Sequence, residues 1–106
     1  MNRGDVCWYT FKMPNKRRPV LILTRDSAIA VLHSVTVAPI NSTIRSIPTE
    51  VVLTEADGLP STCAANFDNL QTVPKNNIGD RIARLPGRKM KEAAAALSFA
   101  LGFDYD

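Results

Sequence analysis

The sustained helical period of this chain lies in its last twenty or so residues, and what precedes it reads as strand and turn. Met90, Ala93, Ala94, Leu97, Ala100 and Leu101 recur three and four residues apart, which lines them along one face of a helix. Pro86 stands just before this segment and Gly102 just after it, where start and stop signals belong. The alanine run 93–96 has the highest intrinsic helix propensity available. Upstream the pattern changes. Residues 6–11 are rich in β-branched and aromatic side chains, and 13–18 break that run with proline, asparagine and charge. Residues 19–24 (PVLILT) form a continuous apolar run of strand length, which predicts burial on both faces. Residues 35–40 predict a third strand. Pro39, late in it, points to an edge or a strand end because proline donates nothing to a ladder. Residues 49–53 predict a fourth strand, 64–73 a fifth and 82–85 a short sixth, while 26–32 suit a helical turn or a loop. Short strands closed by one helix predict a mainly β fold, a small antiparallel barrel with the helix packed on it.

A length of 106 residues suits a single domain spanning 1–106. With 45% hydrophobic and 22% charged residues, the chain can bury a core and stay soluble. The net charge of +3 permits a polyanionic partner without demanding one. Cys7 and Cys63 are too few for a disulfide framework. No charged-then-apolar leader opens the chain, and no stretch approaches the roughly 18 apolar residues of a membrane span. A reduced, cytoplasmic protein with no membrane partner is the expectation.

The familiar catalytic signatures are missing. There is no GxGxxG, P-loop, paired CxxC or HExxH, and one histidine with two scattered cysteines offers no zinc-site spacing. A Cys63–His33 nucleophile pair has no supporting motif. What remains is basic. Lys12, Lys16, Arg17 and Arg18 line the first turn, and Lys75, Arg81, Arg84, Arg88, Lys89 and Lys91 form a second cluster. Such clusters can hold phosphates or be a solvated surface. Arg18 stands apart, because it precedes the fixed φ of Pro19 at the start of the apolar strand. An arginine held there can present its planar fork to a phosphate, or pair with a carboxylate such as Asp5 or Asp68. Trp8 suits the core better than a base-stacking platform.

Several blocks, in order, resemble one family. Arg3-Gly4-Asp5-Val6 followed by Arg17-Arg18-Pro19-Val20-Leu21-Ile22-Leu23 is similar to the RGD[VI]…RRPVLV pattern of the MazF/PemK toxins. The resemblance continues through Val35-Thr36-Val37-Ala38-Pro39-Ile40-Asn41-Ser42, Pro48-Thr49-Glu50-Val51, Gly58-Leu59-Pro60 and Asn66-Phe67-Asp68-Asn69-Leu70-Gln71-Thr72-Val73. It ends at Ala100-Leu101-Gly102-Phe103, so it covers nearly the whole chain.

The resemblance implies an SH3-like, five-stranded antiparallel barrel with a C-terminal helix, assembled as a homodimer. It implies a sequence-specific endoribonuclease that cuts single-stranded RNA without metal or cofactor. A ribose 2′-hydroxyl would attack the adjacent phosphorus, leaving a 2′,3′-cyclic phosphate and a 5′-hydroxyl. It also implies an antitoxin whose flexible tail wraps the toxin. By family position Arg18 contacts the scissile phosphate. Asn41 stands where a threonine is common, with Ser42 beside it as an alternative hydroxyl, and Asp68 matches an aspartate that some members use as base. Some members carry an arginine where this chain has Asn66. Lys16, Arg17, Arg45, Asn66, Gln71 and Lys75 are the expected RNA contacts. Two alternatives share the fold: a CcdB-type gyrase poison, which lacks the Arg-Arg-Pro block, and an inactive relative that binds RNA or antitoxin without cutting.

Overall fold

The computed structural model describes residues 1–12 and 15–104. The chain runs β1 (Asp5–Lys12), β2 (Asn15–Ile22), α1 (Asp26–Ile29), β3 (Ser34–Asn41), β4 (Glu50–Leu53), β5 (Cys63–Asn66), β6 (Gln71–Pro74), β7 (Arg81–Arg84) and α2 (Gly87–Leu101). One curled antiparallel sheet holds all seven strands in the order β4-β5-β3-β2-β1-β7, with β6 pairing β3 off that path. The mainly β architecture with a closing helix is as the sequence predicts, but the described residues form seven strands, against the six read from the sequence and the five implied by the resemblance.

The extra strand comes from the segment expected to be continuous over 64–73. Phe67–Asn69 instead forms a 3-10 turn that splits it into β5 and β6. The Asn66 side chain accepts from the Asp68 backbone N–H at 2.8 Å and caps that turn. Buried Phe67 anchors it in the core. The polar residues of the segment therefore mark a corner.

β2 begins earlier than expected. β1 and β2 pair from Val6↔Leu21 out to Lys12↔Asn15, so Lys16, Arg17 and Arg18 lie within β2. Met13 and Pro14, also assigned to the first turn, lie outside the described residues. Arg18 consequently sits mid-strand, opposite Tyr9, and not at a strand end.

Pro39 is not on an edge strand. β3 is central, pairing β2 on one side and two strands on the other. On that second side it pairs β6 through residues 34–37 and β5 through 40–41, and Pro39 falls between the two stretches. A residue without an N–H is best tolerated at such a change of partner.

The apolar run of β2 is buried on both faces. Leu21 joins Val6, Ile40, Leu53, Phe67 and Ala93 in the core beneath α2, whereas Val20 and Ile22 join Cys7, Val35, Val37 and Val73 on the other face. Strand alternation delivers neighbouring residues to opposite cores. Residues Asp26–Ile29 resolve the ambiguous segment as one helical turn. The closing helix ends at Gly102, whose φ of 77° puts it in the left-handed region that glycine adopts without strain. No helix is long and apolar enough to cross a membrane among the described residues.

Candidate active site

The change of pairing partner along β3 builds a cleft. β5 runs antiparallel past Asn41 and Ile40, pairing Ala64 and Ala65 with them, and the chain then rounds the Phe67–Asn69 turn and re-enters the sheet as β6 at Gln71, opposite Val37. The result is an open cavity of about 420 Å³ lined by Phe11, Arg18, Pro39, Asn41, Asp68, Asn69, Leu70 and Gln71. Four of the residues singled out from sequence, Arg18, Asn41, Asp68 and Gln71, thus share one cavity although three separate segments supply them.

Arg18 and Asn41 face each other across β2 and β3. The recorded register runs Ile22↔Val37 to Val20↔Pro39, and two more steps bring Arg18 opposite Asn41. There Arg18 Nη1 donates to Asn41 Oδ1 at 2.6 Å. Among the described residues no carboxylate pairs with Arg18. Asp5 is engaged elsewhere, by Arg84 at 2.9 Å and Arg81 at 3.9 Å. Asp68 accepts the Thr49 hydroxyl at 2.6 Å. The guanidinium therefore keeps donors to spare at the cleft.

Other candidates are placed differently. Ser42 follows the last residue of β3 and, together with Asn41, lines a smaller cavity with Trp8, Pro19, Leu59 and Cys63; it does not line the Arg18 cavity. Asn66 is 2% exposed and its carbonyl oxygen is committed to the turn, so it is a structural residue. Lys75 donates its ammonium to the Ile29 carbonyl at 2.8 Å. Arg45 folds onto Glu50, through its backbone N–H at 2.9 Å and its guanidinium at 3.9 Å. Lys16 and Arg17 are exposed on β2. Arg17 lies over the Trp8 ring, 4.3 Å from its centre, and Trp8 is only half-buried. The expectation that Trp8 is core is thus corrected.

The second basic cluster is mostly structural. Arg81 and Arg84 hold Asp5, Arg88 holds Asp57 at 3.3 Å, and Lys89 caps the Val52 carbonyl at 2.9 Å while pairing Glu92. Cys7 and Cys63 are free and buried in opposite cores. Burial, with the charge of Asp57 behind it, pushes the Cys63 thiol up, away from the thiolate a nucleophile needs. His33 is exposed ahead of β3. Among the described residues no three His, Cys, Asp or Glu side chains are grouped to hold a metal ion.

Sequence reading missed Thr49, Phe11 and Leu70. Thr49 is buried and reaches Asp68 from the turn before β4, a contact no spacing announces. Phe11 packs edge-on against Tyr9, ring centres 4.9 Å apart, and forms a wall of the cleft.

Comparison with known proteins follows the same lines. The family model for PemK-like, MazF-like toxins of type II toxin–antitoxin systems matches residues 2–101. A probable endoribonuclease MazF2 of Mycobacterium tuberculosis is 36% identical over 103 residues, covering 96% of this chain and 99% of that protein. Among solved structures, the Mycobacterium tuberculosis toxin MazF-mt6 superposes with a TM-score of 0.87 at 35% identity, covering 95% of this chain and 99% of that one. A mycobacterial endoribonuclease in complex with its cognate antitoxin superposes at 0.88 with 26% identity, covering 100% and 99% of the two chains. The match to the family model and to these relatives runs across the strands that build the cleft as well as the helix that closes the core, and the chain belongs to the PemK/MazF-like toxins.

Proposed function

We propose that this chain is the toxin of a type II toxin–antitoxin pair and an endoribonuclease that cleaves single-stranded RNA in the cleft of Arg18, Asn41 and Asp68. The observation that carries the reading is the Arg18–Asn41 hydrogen bond at the open cavity. It fixes a guanidinium that, among the described residues, no carboxylate pairs. The endoribonuclease names of the relatives agree with it.

The chemistry asks little of the protein. The nucleophile is the ribose 2′-hydroxyl of the substrate, so the enzyme aligns the phosphate, stabilises added charge and moves protons. Asp68 accepts the 2′-hydroxyl proton as the 2′ oxygen bonds to phosphorus. The bond from phosphorus to the 5′ oxygen breaks, that oxygen takes a proton from solvent, and a 2′,3′-cyclic phosphate remains. Arg18 stabilises the charge that builds on the phosphoryl oxygens. It is no base, since a guanidinium stays protonated. Asn41 uses its carbonyl oxygen to aim Arg18, which leaves its amide N–H₂ to donate to the same phosphate.

The working unit is a homodimer in the cytoplasm, held inactive by a cognate antitoxin whose flexible tail occupies the RNA groove. The solved relative in complex with its antitoxin supports that partner.

End mapping tests the proposal. The purified chain, incubated with mixed RNA in EDTA, is expected to cut at full rate and leave 5′-hydroxyl ends. A strict requirement for magnesium, or 5′-phosphate ends, would overturn the in-substrate nucleophile. Asn41 in place of threonine favours one other reading, a toxin that binds RNA without cutting, and the absence of any cleavage would select it.

A further inference from the structure

We infer that Thr49 is a positioning residue for RNA cleavage, one that holds the Asp68 carboxylate in register with the cleft; this rests on the reading of Asp68 as proton acceptor. Asp68 is exposed, and an exposed aspartate ordinarily samples several rotamers. Here one contact holds the side chain and two hold the backbone of the turn that carries it. The Thr49 hydroxyl donates to Asp68 Oδ2 at 2.6 Å, a charge-assisted bond at the short end of the range. The Asn66 side chain accepts from the Asp68 backbone N–H at 2.8 Å. The Thr49 carbonyl accepts from the Phe67 backbone N–H at 2.8 Å, so Thr49 grips the 3-10 turn by backbone and side chain together.

The anchor is itself rigid. Thr49 is 7% exposed and leads directly into β4, whose first residue, Glu50, pairs with Asn66 on β5. Two neighbouring strands thus end in two buried polar residues, Thr49 and Asn66, that aim one carboxylate. With Oδ2 occupied by Thr49, Oδ1 is the oxygen left to accept a proton at the cavity. A base must sit within hydrogen-bond reach of the proton it removes, and an untethered Asp68 would spend less time there.

The experiment compares Thr49→Val, which keeps the shape and drops the hydroxyl, with Thr49→Ser, which keeps the hydroxyl and drops the methyl. Both are measured on a defined single-stranded RNA that the parent protein cuts, with thermal melts to establish folding. Thr49→Ala replaces the valine variant should that one not fold. The positioning role predicts that Thr49→Val lowers kcat by about 10- to 100-fold with KM little changed, and that Thr49→Ser recovers most of the rate. A role confined to packing predicts the reverse order, and that order would overturn the inference. Asp68→Asn is run alongside and combined with Thr49→Val. The double variant should be no slower than Asp68→Asn alone, because a lost base leaves nothing to position. If Asp68→Asn is slow but Thr49→Val is not, the positioning role is wrong and Asp68 stands. If Asp68→Asn cuts at the parent rate, the assignment of Asp68 itself falls, and the role of Thr49 with it.

Discussion

Arg18 Nη1 and Asn41 Oδ1 meet at 2.6 Å across two adjacent strands, two residues beyond their last recorded backbone pair. That contact makes Arg18 the most exacting test of the site. Arg18→Ala should cut cleavage by about 100- to 1,000-fold, the usual cost of one preorganised donor to a developing oxyanion. The fold should persist, because the residue is only half-buried. Arg18→Lys should fail nearly as badly, since an ammonium cannot both accept aim from Asn41 and present a planar fork. Arg17→Ala is the control. Its side chain lies over Trp8 on the exposed side of β2, so RNA binding should weaken modestly and in a salt-dependent way. Cleavage rates and binding measured over a range of salt check both.

Asn41 and Ser42 should separate cleanly. Asn41→Ala removes the acceptor that orients Arg18. Hydrogen bonds to charged groups are worth about 1.5–3 kcal/mol, or roughly 10- to 100-fold in rate if the loss falls on the transition state. Ser42→Ala should cost little, because its hydroxyl lines the smaller cavity beside Trp8. Single-turnover rates for the two variants decide it. A severe Ser42→Ala defect would mean that the hydroxyl reaches the phosphate from the smaller cavity.

How much of this the sequence disclosed depended on the range of the signal. The two-sided burial of Val20, Leu21 and Ile22 and the α2 period are local, and both were legible. Arg18 stood out locally, by its place before Pro19 at the start of an apolar strand, whereas Asn41 stood out only by resemblance to a family. The split of 64–73 was not legible, because its turn is made by a side-chain cap from Asn66 and a buried Phe67 and contains no glycine or proline. The basic residues 75–91 left a phosphate site and a solvated surface both open for a related reason. Their partners Asp5, Asp57 and the carbonyls of Ile29 and Val52 lie far away in the chain, so the network that ties them into the fold was not visible in the sequence.

The proposed homodimer has a direct test in solution. Large apolar side chains stay exposed, among them Val31 at 75%, Leu101 at 53% and Phe99 at 49%. Sedimentation at micromolar concentration should give about twice the 11.6 kDa chain mass. A monomer that still cleaves RNA would count against the dimer as the working unit.

The buried carboxylate of Asp5 should govern acid stability. It sits at the start of β1, its side chain 3% exposed, paired with Arg84 on β7. Burial pushes its pKa up, but the hydrogen bonds from Arg84 Nε and the Asn2 backbone N–H, with the charges of Arg84 and Arg81, more than offset that and hold it below the usual carboxylate range. A depressed folded-state pKa contributes stability that is present above the unfolded value, about 3.9, and is lost as pH falls through the lower folded one. Asp5→Asn should therefore destabilise the protein at neutral pH. About 1–3 kcal/mol is expected, since the hydrogen bonds to a charged group are lost while Arg81 and Arg84, each more than half exposed, remain solvated. The gap between parent and variant should narrow as pH drops below about 3.9, where the unfolded parent takes up its proton first, and close as pH passes through the lower folded value. Denaturant midpoints for both proteins from pH 7 to pH 2.5 measure this directly, and a gap that stayed constant across that range would show that the ionised carboxylate contributes nothing.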